Sequence, residues 1–200
     1  NRSTFSNMGT YLDIMAPGEN IYNCLPNSKY AYATGTSMAS PIVAASAAVL
    51  LSMNFAEYPY GWSSTEVEEF LFSTATDIAT VGKDIYTGNG LINLNLALES
   101  AKAKVLANTK PKKVKATVGN YQAIKLRWEP VAWANRYQIY RSTSENGTYS
   151  KIKVLYDEDV NDGNSAQYKD TGLSTGQTYY YKIRAVSPYQ DKFKYSAYSD

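Results

Sequence analysis

Ser37 stands within Gly35-Thr36-Ser37-Met38-Ala39-Ser40-Pro41, and the residues that follow, from Ile42 to Leu51, are apolar except for Ser46. This pattern predicts a small glycine turn that delivers a serine to the first turn of a helix. The backbone N–H groups of a first turn lack intrahelical acceptors and carry the positive end of the helix dipole. A hydroxyl held there is placed to attack a carbonyl, because the developing oxyanion falls near those donors. The chemistry this suits is acyl transfer, with Ser37 as nucleophile. The helix behind it is apolar on every side, so it is expected to be buried.

Serine chemistry of this kind needs an imidazole to take the hydroxyl proton and return it to the leaving amine. The 200 residues contain no histidine.

Four blocks carry a family resemblance. Gly35 to Pro41 resembles the nucleophile motif of subtilisin-like serine peptidases. Phe5-Ser6-Asn7-Met8-Gly9 and Leu12-Asp13-Ile14-Met15-Ala16-Pro17-Gly18 resemble segments that precede it in that family. Gly88-Asn89-Gly90-Leu91-Ile92-Asn93 resembles the glycine turn before the family's last helix. The blocks keep the family's order and cover about the first half of the chain. The resemblance implies a serine endopeptidase in which Ser37 forms an acyl-enzyme, with Gly35 and Thr36 supporting it beside the oxyanion. Protein or peptide substrates and a secreted or cell-surface location follow from the same likeness.

In this family the serine is the last triad member along the chain. The chain is accordingly read as the C-terminal third of a catalytic domain, with the aspartate and histidine upstream of Asn1 and the segment alone inactive. The rival readings are a pseudoprotease that never had the base, and a cell-surface binding protein with a vestigial protease fold. No cofactor is evident in this segment, and the resemblance assigns any structural calcium to the missing part. Ile42 replaces a histidine often found after the family's proline; that histidine is not the triad base.

Neighbouring residues have plain readings as well. Thr36 is a candidate helix cap. Pro41 lacks the N–H that would bond the carbonyl of Ser37, which either kinks the helix or loosens its first turn. Met38 reads as packing, with oxidation as a route to lost activity. Cys24 reads as a small buried or half-buried residue, since a reactive thiol needs a cationic or helix-terminal neighbourhood and no histidine is available to partner it. Asp13 alone is no metal site, and one cysteine permits neither an internal disulfide nor a cysteine-based zinc site.

The elements around these residues follow from pattern. Leu12 to Met15 reads as a buried strand ending at Ala16-Pro17-Gly18. Ser63-Ser64-Thr65-Glu66 has the spacing of a capping box, followed by Val67, Phe70 and Leu71 at helical intervals with Glu68 and Glu69 facing water. A last helix starts near Asn93 or Asn95 and runs through Leu98, Ala101 and Val105. No apolar run reaches the ~18–20 residues of a membrane span.

Past Lys110-Pro111-Lys112-Lys113 the chain changes character. Residues 1–109 carry five Lys/Arg against nine Asp/Glu, whereas residues 110–200 carry fifteen against nine. Ile124, Leu126 and Trp128 alternate with Lys125 and Arg127; Tyr137 to Arg141 and Tyr179 to Ala185 alternate likewise, as half-buried strands do. Glu145-Asn146-Gly147 is a hairpin signal, and Asn161-Asp162-Gly163-Asn164 marks another turn. Leu173, Gly176 and Tyr179 have the spacing of a tyrosine corner, in which the phenol bonds a nearby backbone group. With Trp128-Glu129-Pro130, this half resembles a fibronectin type III domain, its last strand cut near Tyr195-Ser196-Ala197-Tyr198. The expected architecture is the C-terminal portion of an α/β, parallel-sheet peptidase domain (1–104), a linker (105–110) and an all-β sandwich (111–200). The sandwich shows no catalytic constellation. Its basic residues lie on several strands without a recognition helix, which argues against nucleic acid. It reads as a spacer or as a binder of an acidic wall polymer or acidic protein.

Overall fold

The computed structural model describes residues 2–53, 61–156, 165–189 and 192–200. The Asn161–Asn164 turn lies outside the described residues. The chain forms two compact units, residues 1–101 and 102–200.

The first unit combines a hairpin with two helices and the first part of a third, which runs on into the second unit. Strands β1 (Ile21–Leu25) and β2 (Lys29–Ala33) pair antiparallel, with Leu25 opposite Lys29. Asn27 and Ser28 turn the chain in left-handed backbone at φ 60° and 56°. Helix α1 (Thr36–Leu51) follows directly. Helix α2 (Ser64–Ser73) starts with the expected capping box: the Glu66 amide donates to Ser63 Oγ at 3.3 Å, and the Ser63 amide donates to Glu66 Oε2 at 3.0 Å. Its buried face is Val67, Phe70 and Leu71, and Trp62 meets Phe70 edge-on at 4.9 Å. Helix α3 (Leu94–Ala107) is capped by Asn93, whose Oδ1 accepts from the Leu96 amide at 3.1 Å.

Three expectations for this unit need correction. Helix α1 is not buried: only Ser46 and Leu50 are, while Val49 and Leu51 are 41% and 53% exposed. Its apolar faces outnumber the elements of this unit that pack on it. Leu12 to Met15 is a half-buried extended segment rather than a buried strand, with a single parallel bridge from Met15 to Leu91. A ladder needs bridges at consecutive residue pairs, and among the described residues only the Met15–Leu91 pair forms one in this segment. Cys24 is exposed, because among the described residues no layer covers that face of the hairpin.

The second unit is a sandwich of antiparallel sheets. One sheet is β3 (Lys115–Gly119), β4 (Ala123–Trp128) and β7 (Ala166–Asp170), in that order. The other runs β6 (Ser150–Tyr156), β5 (Arg136–Ser142), β8 (Tyr180–Tyr189) and β9 (Lys192–Tyr195). Leu126 and Trp128 from one sheet meet Tyr137, Ile139, Ile183 and Ala185 from the other in a shared core. Leu106, near the end of α3, belongs to that core as well. The expected linker therefore takes in the last turn of α3. The tyrosine corner is present: the Ser174 amide donates to Tyr179 Oη at 3.0 Å. Glu145-Asn146-Gly147 lies between the paired strands β5 and β6, as its hairpin signal predicts.

One feature joining the sheets has no sequence signature. Arg141 of β5 donates to Asp170 of β7 at 2.9 Å, and Tyr181 Oη donates to the same carboxylate oxygen at 2.7 Å. Asp170 is 4% exposed, and a buried carboxylate held by a guanidinium and a phenol is satisfied rather than stranded.

Candidate active site

The nucleophile candidate sits at the open end of α1. Gly35 is the N-cap in extended backbone, and the helix begins at Thr36. Ser37 is therefore the second residue of the first turn; it is exposed, and among the described residues its hydroxyl has no hydrogen-bond partner. The expected Thr36 cap does not form. Thr36 is already helical, the cap residue has no side chain, and no side-chain hydrogen bond closes this terminus. The first turn also holds no acidic residue, so the positive end of the helix is not neutralised from within the turn. Of its donors, the Met38 amide bonds the Gly35 carbonyl at 3.0 Å.

The helix continues through Pro41. Pro41 has no N–H to offer the carbonyl four residues back, so the Ser37 carbonyl stays out of the ladder without breaking the helix. Met38, the next residue, is touched from the hairpin: Asn23 Nδ2 lies 3.0 Å from its sulfur.

The four sequence blocks come together here. The Gly35 amide donates to the Gly18 carbonyl at 2.8 Å, tying the turn to the end of the extended 12–18 segment. That segment is held in turn by the glycine turn: Met15 N–H bonds Gly90 O at 2.9 Å, and Ile92 N–H bonds Met15 O at 2.8 Å. Asn89 donates twice to the Asp13 carbonyl, from its amide at 2.8 Å and from Nδ2 at 2.7 Å. Gly88 sits at φ +62°, and a Cβ on it would stand 2.6 Å from the Asp13 carbonyl group, which is why glycine occupies that position. The first block joins through the Gly9 amide, which bonds Ile85 O at 2.9 Å.

The loop before Gly88 is shaped by Asp84. Burial works to raise its pKa, but the Tyr86 and Thr87 amides bond its carboxylate at 2.7 and 2.8 Å, and the net effect is a lowered value. Asp13 pairs with Lys83 at 2.7 Å. Among the described residues no group of three or more His, Cys, Asp or Glu side chains could hold a metal ion.

A cleft of about 830 Å³ runs along α1, with Thr36, Ala39, Val43 and Ala47 on the helix side and Ile14 and Leu71 opposite. Its helix residues recur every three or four positions, so it is one longitudinal face of α1. Ser37 is not among the residues that bound it. The cleft meets the turn that carries the hydroxyl at Thr36. Lys83 and Asn23 are contributors that the sequence did not disclose, since their partners lie 70 and 15 residues away.

Residues 1–90 match the subtilase family. Subtilisin DY of Bacillus licheniformis is 43% identical over 99 residues, covering 50% of this chain and 33% of the relative. Subtilisin E of Bacillus subtilis (strain 168) is 43% identical over 98 residues, covering 49% of this chain and 24% of the relative. The chain thus spans a third or less of the curated relatives it matches. Among solved structures, a Fn3-like protein from Clostridium thermocellum covers 46% of this chain and 88% of its own, at 31% identity and a TM-score of 0.36.

Proposed function

We propose that this chain, subtilase in its first half and a β-sandwich in its second, supplies the nucleophile of a secreted or cell-surface serine endopeptidase. Ser37 Oγ attacks the scissile carbonyl of a protein or peptide substrate. Its proton passes to a histidine on the preceding part of the polypeptide, oriented by an aspartate, and then to the leaving amine. Water hydrolyses the resulting acyl-enzyme by the reverse proton path. Gly35 and Thr36 frame the turn, and the Ser37 amide supplies one oxyanion donor. The reaction needs no cofactor. A structural calcium, if the whole protein binds one, would be held outside this segment.

The observation that carries the reading is an exposed, unbonded serine hydroxyl in an uncapped first turn, inside a segment related to subtilisins. The test is Ser37→Ala in the full-length protein. Peptide hydrolysis should fall to background while stability changes by less than about 0.5 kcal/mol, as for other exposed positions. Undiminished hydrolysis would remove Ser37 from the mechanism. A full-length sequence without the histidine and aspartate would favour the pseudoprotease reading instead.

A further inference from the structure

The outward face of the β6-β5-β8-β9 sheet carries a row of cations. In the β5–β8 register Tyr140 lies opposite Lys182, Gln138 opposite Arg184, and Arg136 opposite Val186. Lys182, Arg184 and Arg136 therefore occupy three successive outward rungs, about 7 Å apart at the usual strand rise.

Each cation rests on aromatic rings. Lys182 Nζ is 4.3 Å from the Tyr149 ring centroid. Arg184 lies 4.2 Å from Tyr195, 5.1 Å from Tyr198 and 5.4 Å from Tyr140. Arg136 lies 4.4 Å from Phe193 and 5.0 Å from Tyr156. Ring contact orients a cation without cancelling its charge. Among the described residues none of the three is in a salt bridge, whereas Lys110, Lys113 and Arg141 each are. Arg184 donates Nε to Gln138 and Nη2 to Tyr140, both at 2.9 Å. Of a guanidinium's five donors, three are left for a ligand.

We infer that this face binds an acidic polysaccharide along the row Lys182, Arg184, Arg136. Three un-neutralised cations at regular spacing call for a polyanion with regularly spaced charges. The half of the chain that bears them holds fifteen Lys/Arg against nine Asp/Glu, so the long-range field attracts the same partner. Tyr156 and Tyr195 are 48% and 40% exposed, and their hydroxyls suit a ligand rich in hydroxyl groups. An extended peptide would instead add to a sheet edge through its backbone, and β5 and β8 are paired on both sides. Single-stranded nucleic acid needs open ring faces for stacking, and Arg184 takes one face of each of three rings.

The test is calorimetric titration of the 200-residue chain with polygalacturonate, neutral dextran, poly-glutamate and oligo-dT in about 50 mM salt, where exposed charges are least screened. Polygalacturonate should bind at least about tenfold more tightly than poly-glutamate or oligo-dT, with no binding to dextran and marked weakening at high salt. The triple variant R136Q/K182Q/R184Q should lose binding. K125Q/R127Q/K169Q, with the same loss of charge on the other sheet, should stay within about threefold. Circular dichroism checks folding; if the triple variant is unfolded, Lys182→Gln alone decides, with an expected loss of about three- to tenfold. Absence of polygalacturonate binding, equal loss in the two triples, an unchanged affinity in Lys182→Gln, or tighter binding of poly-glutamate or oligo-dT would each overturn the inference.

Discussion

The Gly35 amide donates to the Gly18 carbonyl at 2.8 Å, and a Cβ built on Gly18 would stand 2.9 Å from the Gly35 oxygen. The turn that presents Ser37 is thus held by a residue seventeen positions earlier, and the crowding falls on Gly18. Gly35 has open space, its nearest neighbour being the Ser37 nitrogen at 3.9 Å, and its backbone is extended.

An order of glycine substitutions follows. Of Gly88, Gly18 and Gly35, replacing Gly88 by Ala should be the most damaging in the full-length protein, costing about 3 kcal/mol or more, since a left-handed φ and backbone contact act together. Gly18→Ala should cost about 1–3 kcal/mol by overpacking, and Gly35→Ala about 1 kcal/mol through loss of a tolerated cap residue. Urea midpoints of the three variants test this. A Gly35→Ala variant less stable than Gly18→Ala would refute the role given to the Gly18–Gly35 contact.

Trp128→Ala should unfold the second unit. Trp128 is 1% exposed and meets Tyr137 edge-on at 5.3 Å in the centre of the sandwich. Truncating a buried tryptophan costs about 3–5 kcal/mol against a typical total of about 5–15. Loss of near-ultraviolet dichroism and of slow amide exchange in β5 and β8 would be the signature. Retained protection in both strands would contradict it.

Much of this was legible in the sequence where a local period or a short motif carries the information. Alternation around Ile124–Trp128 and Tyr137–Arg141, the Ser63/Glu66 spacing and the Leu173–Tyr179 interval each specify contacts within a few residues, and the structure places those contacts as expected. Burial was less legible. An apolar helix such as α1 declares that something should cover it, but not whether the covering element lies in the same unit. Cys24 is misread for the same reason, since exposure depends on a second layer. Pairs such as Lys83–Asp13 and Arg141–Asp170 join residues 70 and 29 positions apart, and no local pattern encodes them. At the candidate site the sequence marks Ser37 and its motif, while the positioning role of Gly18 and Asn89 emerges only from their close approaches.

Alkaline pH should weaken the sandwich through Tyr181. Burial first, then the hydrogen bond to Asp170 and that carboxylate's charge, raise the Tyr181 pKa well above its ordinary value. The folded state therefore favours the neutral phenol. Its contribution is fully present below the unfolded phenol pKa of about 10 and is lost as pH rises through the higher folded value. Tyr181→Phe should cost about 1 kcal/mol near pH 8 by removing one hydrogen bond to Asp170, and should lose less stability than the parent between about pH 10 and 11.5. Urea unfolding across that range tests both signs; identical pH slopes would contradict the assignment.

The proposed role of Ser37, a nucleophile whose base lies on another part of the polypeptide, rests on the likeness of residues 1–90 to subtilases. The most direct measurement is labelling by a fluorophosphonate probe, with the modified residue mapped by mass spectrometry. Without an imidazole, serine-peptidase turnover falls by about six decades, roughly 8 kcal/mol of barrier, and the 200-residue chain contains no histidine. Stoichiometric labelling is expected at Ser37 in the full-length protein, with none in its Ser37→Ala variant and none in residues 1–200 alone. Stoichiometric labelling of the 200-residue chain, or labelling of the full-length protein at a residue other than Ser37, would contradict it.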